Sequence, residues 1–450
     1  MNTTEACGIF IENFELSSVT QSAIEHTKNA IIDTIGVMIA AKDEPVVTKL
    51  LKYLEQANLL QQEGGQSTII PFSYKTNARD AAWVMGTLAH ALDFDDTSLV
   101  MKGHPSAILI PAILSLAEKY NRSGKEVLEG YICGLEVTHQ LAKQHASQGW
   151  HTTATYGTLG AAAASAKIIG LSQQQIRYAL GIAASSASGL RANFGTMTKP
   201  LHAGQAAAAG VFAALLAEQD VTANSNVLEA DFGYGDVFHH DQDFENLSFS
   251  VDSLYLESNG LNVKMNPSCS MTHRPIDAVF SLITKHQLDP EQLETIECSI
   301  SKRAASILRY HQPKDEMEAK FSLEYCIASA VLNQEVSLAQ FHDDQVKRTD
   351  IQRMMKQVII LAEEDKEEEK ATVTIKTKEG DIYTKTVTHP IGSSQKALSR
   401  AQLKQKFSEC VNHIMTDEQQ HSAFAYLEKL EEIDDIRRLL KSLTLEFQKN

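Results

Sequence analysis

Three segments of the chain place basic side chains around a proline that opens an apolar or alanine-rich run: Lys199-Pro200-Leu201-His202, Gly103-His104-Pro105-Ser106 and His273-Arg274-Pro275. Proline has no backbone N–H to lose in a first turn and disfavours the helical region for the residue before it. The pattern therefore predicts a helix that begins at Pro200 with Lys199 just outside it, and helices after Pro105 and Pro275. Free N–H groups and the positive end of the macrodipole favour an anion at such an end. One such proline is explained as a boundary mark; three basic helix starts in one chain point to a site for several carboxylates or phosphates.

A second constellation is acidic. His90-Ala91-Leu92-Asp93-Phe94-Asp95-Asp96-Thr97 puts three carboxylates at the end of a helix, where the negative dipole end disfavours them. Lys102, His104, a bound metal or a role in acid–base chemistry would compensate them. Asp93 and Thr97 share a face if the helix continues, and Asp95 then points elsewhere; a turn with solvated aspartates accounts for Asp95 equally well. His151 falls on a loop before a Gly/Ala-rich helix, where a histidine is free to titrate near neutrality. Lys264 lies in Leu261-Asn262-Val263-Lys264-Met265-Asn266-Pro267, where the chain passes from one domain to the next, a usual place for a ligand cleft. Tyr310, near Lys302, Arg303 and Arg309, has a phenol proton to donate. Taken singly, His151 and Tyr310 are explained as surface residues.

The elements that must position these groups are mostly helical. From Ser18 to about Gly260 the periodicity is that of helices, with Ala81, Val84, Met85, Leu88, Ala89 and Leu92 on one face and a capping box at Ser172-x-x-Gln175. After Gly260 the pattern changes: Thr295–Ser301 alternates, and Thr372–Thr377 with Ile382–Thr388 reads as a hairpin. Helical stretches Phe321–Val331 and Asp350–Ile360 lie between these strands, and the charged run Glu363–Lys370 reads as a solvated loop. From about Ser394 the chain is helical again, with Leu427, Leu430, Ile433, Ile436 and Leu440 on one face. The expected architecture is mainly α: a large all-helical domain from residues 1–260 and 394–450, and a smaller inserted α+β lid domain over 261–393.

The 450 residues suffice for two domains, and a formal net charge of -16 argues against nucleic acid and anionic lipid as partners. Any anionic ligand must be met by local cations. The six cysteines are scattered without a C-x-x-C pair, which disfavours a zinc ribbon, a disulfide scaffold or an iron–sulfur cluster. The N-terminus lacks a signal pattern, and the apolar run Ala107–Ala117 is shorter than the roughly 20 residues of a membrane span. These features predict a cytoplasmic protein with no membrane partner. No G-x-G-x-x-G after a strand, P-loop, H-E-x-x-H or G-x-S-x-G motif is found.

These segments together resemble the MmgE/PrpD family, which includes 2-methylcitrate dehydratase, cis-aconitate decarboxylase and an iminodisuccinate epimerase. The resemblance runs through His90–Thr97, Gly103–Ser106, Trp150–Ala164, Gly189–Gly210, Lys264–His273, His389-Pro390-Ile391-Gly392, Leu398-Ser399 and Lys406-Phe407. It implies a homodimer and a metal-independent lyase without cofactor, acting on a small di- or tricarboxylate by dehydration or decarboxylation. By position it implies catalytic roles for Asp93, His104, His151, Lys199 and Tyr310 and substrate-binding roles for Thr97, Lys199 and Lys264; His202 and His273, at the basic helix starts, are expected to bind substrate with them. In that arrangement His104 and His151 handle protons and Asp93 orients or charges a histidine. Ser98–Lys102 departs from the histidine- or tryptophan-containing versions common in the family, and Gly189–Gly195 looks less like the methylcitrate dehydratase branch. The rival readings are an epimerase or isomerase of a substituted succinate, a magnesium-dependent diphosphate enzyme built on Asp93-x-Asp95-Asp96, and a non-catalytic carboxylate-binding protein.

Overall fold

The computed structural model describes residues 2–61, 64–143, 149–239, 244, 247–258, 260–364 and 370–445. They form two compact units, residues 1–262 with 399–450 and residues 263–398. The protein is mainly α.

In the first unit the helices are α1 (Thr3–Asn13), α2 (Gln21–Ala40), α3 (Pro45–Gln56), α4 (Ala78–Ala91), α5 (Ser106–Lys119), α6 (Gly124–Ala142), α7 (Thr152–Ile169), α8 (Gln173–Ala184) and α9 (Thr198–Glu218). A small antiparallel hairpin, β1 (Ser67–Thr68) and β2 (Lys75–Thr76), interrupts the helical run between α3 and α4. The capping box at Ser172 and Gln175 opens α8, and Ser123 with Glu126 does the same for α6; each satisfies two orphan backbone donors. α9 packs against α4, α5, α7 and α8. It is 21 residues long and apolar enough to cross a membrane, but 67% of its apolar window is buried inside the protein, as befits the central helix of a core.

Small residues let α4 and α9 approach closely. A Cβ added at Gly204 would lie 2.3 Å from the Trp83 carbonyl oxygen, and one at Gly86 would lie 2.8 Å from the Gly204 Cα. No other residue fits either position without moving a backbone. This crossing sets the end of α4 beside the start of α9, which decides where Asp93 and Lys199 meet.

The helix Arg400–Val411 opens with a capping box at Ser399 and packs on α2. Leu427, Leu430, Ile433, Ile436 and Leu440 are all buried, but they do not share one helix. Leu427 lies in the helix Asp417–Glu428, Leu430 in a 3-10 turn at Leu430–Glu432 and Leu440 in the helix Arg437–Leu443, with Ile433 and Ile436 on the segment that joins the last two.

The second unit holds a four-stranded sheet of order β4-β3-β5-β6: β3 (Leu293–Ser301), β4 (Val358–Glu363), β5 (Ala371–Thr377) and β6 (Ile382–Val387). β5 pairs antiparallel with β3 and β6, with Cys298 opposite Val373 and Thr374 opposite Thr384. β4 is parallel to β3, and it corrects the expectation of a helix to Ile360: the helix Thr349–Met355 stops short. Val358 to Ala362 is a short apolar run that periodicity alone cannot assign, and β-branched residues with a free strand edge on β3 decide it. Of the charged run Glu363–Lys370, residues 365–369 lie outside the described residues. A second correction concerns Pro275, which does not open a helix but lies inside Ser270–His286. The start is moved upstream by Ser268 and Thr272, whose hydroxyls lie 2.8 Å apart, and by the Thr272 N–H bonded to the Cys269 carbonyl at 2.9 Å.

Candidate active site

α4 ends at Ala91, and Asp93 takes a left-handed φ of 52°, a conformation aspartate tolerates better than most residues. The helix therefore does not continue to Thr97, and Asp93 and Thr97 share no helical face. The reversal turns the chain back so that Asp95 meets the last turn of α4: the Asp95 Oδ2 accepts from the His90 Nδ1 at 2.9 Å. The same oxygen lies 3.1 Å from the His104 Nδ1. Asp95 is fully buried, the opposite of a solvated turn residue. Burial pushes its carboxyl up, but the His104 and His90 rings outweigh that and hold it well below the usual carboxylate range. An ionised carboxylate only accepts, so the His90 proton sits on Nδ1 and its Nε2 is a lone pair, and the His104 Nδ1, 3.1 Å from the same oxygen, is placed to carry its proton there too.

Asp93 has a different partner. Its Oδ1 accepts from the Lys199 Nζ at 2.6 Å and lies 3.7 Å from the His104 Nε2. The carboxylate that orients His104 is thus Asp95, and Asp93 holds the lysine. Lys199 is itself inside the helix, because α9 starts at Thr198. The Thr196 hydroxyl accepts from the Thr198 N–H at 3.2 Å, and the Lys199 N–H bonds the Thr196 carbonyl at 3.1 Å. Pro200 then occupies the third helical position, where its missing N–H is still one of the orphan donors. The ammonium also lies 5.5 Å from the centre of the Phe194 ring.

His151 caps the N-terminus of α7. It is buried rather than on an open loop, because its backbone is docked on the glycine-rich segment: the His151 N–H bonds the Gly189 carbonyl and the Arg191 N–H bonds the Gly149 carbonyl, both at 2.9 Å. Its Nδ1 lies 3.1 Å from the His202 Nδ1. Burial, and then electrostatic repulsion from His90, Lys199, His104 and His202, hold the ring well below the usual histidine range. α7 also carries the His104 loop. The Thr152 hydroxyl donates to the Lys102 carbonyl at 2.7 Å, and the Thr153 hydroxyl accepts from the His104 N–H at 3.2 Å.

The result is a cluster of histidines bounded by one lysine and two carboxylates. The His90 ring centre is 4.4 Å from that of His104 and 5.7 Å from that of His151. His104 keeps the most exposure of its ion pairs, 12% of the side chain against 0% for His90 and Asp95. Lys102, by contrast, is exposed and supplies only its carbonyl. Thr97 pairs with Asn262 through two backbone bonds of 2.8 Å, which fixes the far end of the acidic turn. His90 and Asp95 were not singled out as site residues by sequence; the readable signal was an aspartate just past a helix end, where a left-handed residue throws the next side chains back onto the last turn.

Lys264, His273 and Tyr310 belong to the second unit. The His273 Nε2 lies 3.3 Å from the Ser268 carbonyl within its own helix start. Tyr310 is half-buried on the core of that unit, its hydroxyl accepting from the Arg309 guanidinium at 3.3 Å.

The MmgE/PrpD N-terminal domain matches residues 6–247 and the C-terminal domain residues 267–432. The chain belongs to the MmgE/PrpD family. It is 29% identical over 98% of its length to cis-aconitate decarboxylase of Mus musculus, covering 93% of that protein. It is 28% identical to cis-aconitate decarboxylase of Homo sapiens, with 96% of this chain and 92% of that one covered. A cis-aconitate decarboxylase of Aspergillus terreus is 24% identical over 87% of this chain and 85% of its own.

The histidines of this family member give it an acid-sensitive fold. Burial pushes His90 down to about 4 and His139 down to about 3, and lowers His151 and His202 in the same direction. Each is neutral when folded and takes up a proton on unfolding below its ordinary value, so stability rises with pH between about 4 and 6.5. Asp96, pushed up to about 8 by burial, opposes this, as do Glu136 and Asp277, raised in the same direction by burial, since the folded state then binds the extra proton. The four histidines outnumber these three carboxyls. Urea midpoints are expected to climb from pH 4.5 to 6.5, by up to about 1.4 kcal/mol per pH unit for each net proton; a flat or falling series would contradict the assignment.

Proposed function

We propose that this protein is a metal-independent lyase that decarboxylates cis-aconitate. The observation that carries the reading is the Lys199–Asp93 pair set against two histidines, His90 and His104, that both turn Nδ1 toward the single carboxylate of Asp95. Near full-length similarity to three cis-aconitate decarboxylases supports the choice of decarboxylation over dehydration.

The chemistry requires a carbon–carbon bond to break with loss of carbon dioxide, the electron pair to shift through the adjacent double bond, and a proton to arrive at the far carbon. The product is a dicarboxylate with a terminal methylene group. Lys199, at the positive end of α9, binds a substrate carboxylate and stabilises the charge that develops as the bond breaks. His104, with its ring held beside Asp95 through Nδ1, takes up a proton from solvent at the Nε2 lone pair and delivers it to the far carbon. His151, paired with His202 and with its ring centre 5.7 Å from that of His90, takes part in proton handling.

His90, Asp93, Asp95 and His104 bring potential metal-binding atoms within 4.8 Å of one another. Lys199 already supplies a cation to Asp93, and Asp95 is engaged with two imidazole N–H groups, which supports chemistry without a metal. The same proposal includes a homodimer, as the family resemblance implies, and a cytoplasmic location, as the sequence pattern suggests.

Proton NMR in deuterated water over a panel of cis-aconitate, citrate, methylcitrate and substituted succinates tests the reading. The expected result is a new pair of methylene protons and carbon dioxide release from cis-aconitate, unchanged by EDTA. An alkene formed from methylcitrate alone would make the protein a dehydratase. Deuterium uptake into a succinate without net loss would make it an epimerase, and loss of turnover in EDTA restored by magnesium would overturn metal independence.

A further inference from the structure

The turn that carries Asp93 and Asp95 is gripped from behind by the C-terminal part of the chain. Lys406, on the helix Arg400–Val411, is 1% exposed, and its Nζ donates to the Phe94 carbonyl at 2.9 Å. The same ammonium lies 2.6 Å from the Asp33 Oδ1 on α2 and 3.8 Å from the centre of the Phe94 ring. Phe94 is the residue between the two aspartates. Its carbonyl belongs to the peptide that leads into Asp95, and its ring fixes the residue that follows the left-handed Asp93. We propose that Lys406 is a positioning residue for the reaction: it holds the Phe94 carbonyl and ring so that Asp93 points at Lys199 and Asp95 at the two histidines, with Asp33 anchoring its ammonium.

Two arguments favour positioning over simple stability. A buried ion pair loses much of its Coulomb gain to desolvation, and a well-packed apolar pair of similar volume is often at least as stable. The cost is hard to account for unless the pair determines a conformation. The conformation at stake is a costly one, since a non-glycine residue in the left-handed region persists only where its surroundings over-determine it. The other end of the turn is held in the same way: the Ser106 hydroxyl donates to Asp96 and lies 2.6 Å from the Tyr131 hydroxyl. The turn is thus fixed at Phe94 by Lys406 and at Asp96 by the start of α5.

The inference rests on the reading of Asp93, Asp95 and His104 as the reacting cluster. Its test uses three full-length variants. Asp33→Asn keeps the Lys406–Phe94 bond. D33N/K406M removes both charges without leaving one unpaired and loses the bond, and D33N/K406Q offers the carbonyl an amide donor in place of the ammonium. Melting temperature, kcat and KM with cis-aconitate, and histidine-selective nitrogen-15 NMR without substrate are read for each.

D33N/K406M is expected to melt near the wild type, to lose about 100-fold in kcat with KM within about threefold, as a displacement of about 1 Å does, and to lose the fixed Nδ1–H tautomers of His90 and His104. D33N/K406Q is expected to recover part of the kcat and the tautomer signature. Equal kcat and tautomers in wild type and D33N/K406M would overturn the proposal. So would equal impairment in both double variants, or unfolding of both while D33N stays folded, since Lys406 would then serve stability alone. If the wild type leaves cis-aconitate unchanged, the substrate reading fails, and the tautomer comparison still decides the role of Lys406.

Discussion

Lys199→Met is expected to lower kcat/KM by about 10³-fold and stability by about 3–5 kcal/mol. The two effects have separate origins. Lys199 and Asp93 side chains are 5% and 7% exposed and meet at 2.6 Å, so removing the ammonium leaves a buried carboxylate facing a neutral side chain. That penalty is the stability term, and it belongs to Asp93 rather than to catalysis. The double variant Lys199→Met/Asp93→Asn removes both charges and is expected to recover most of the lost stability while turnover stays low, because the ammonium that meets the substrate carboxylate and the developing charge is gone. Urea denaturation with steady-state kinetics on the three proteins checks both parts. Turnover of K199M within tenfold of wild type would remove Lys199 from the chemistry.

The segments that hold Lys199, Asp93, His104 and His151 were legible in the sequence because each sits beside a helix end, where composition and spacing carry strong signals. Their mutual contacts were not, because those depend on the crossing of α4 and α9 at Gly86 and Gly204. A glycine in an alanine-rich run announces close packing without naming its partner. The exchange of roles between Asp93 and Asp95 came from one left-handed residue at 93, which ends α4 early and folds Asp95 back onto His90. The proline rules erred in one direction: both Pro200 and Pro275 lie inside helices that hydroxyl or backbone bonds of the preceding residues started sooner. The mainly helical class and the hairpin of β5 and β6 followed from periodicity. β4 did not, since five apolar residues next to a helical stretch carry no period of their own.

Asp95→Asn is expected to lower kcat by about 10³–10⁴-fold with the fold retained, because it changes a proton assignment and little else. One oxygen of the carboxylate accepts from the His90 Nδ1 and lies 3.1 Å from the His104 Nδ1. An asparagine there has one oxygen and one NH2 group. If the oxygen keeps the place of Oδ2, it can still accept, but it lacks the negative charge that supports a protonated imidazole at the moment of transfer. If the amide turns its NH2 toward the rings, Nδ1 of each must become an acceptor and the protons move to Nε2, where they block the face turned to Asp93 and the substrate. Either way His104 is left with the wrong proton or without its counter-charge. The His90 Nε2, buried without a hydrogen-bond partner among the described residues, would acquire a proton it has no acceptor for, so the rings compete for one arrangement. The measurement is the pH dependence of kcat together with the nitrogen-15 spectrum of the histidines. A D95N enzyme with its kcat reduced less than tenfold and its Nδ1–H tautomers intact would show that His104 is oriented from elsewhere, and the proton donor would then have to be sought at His151, whose partner is His202 rather than a carboxylate.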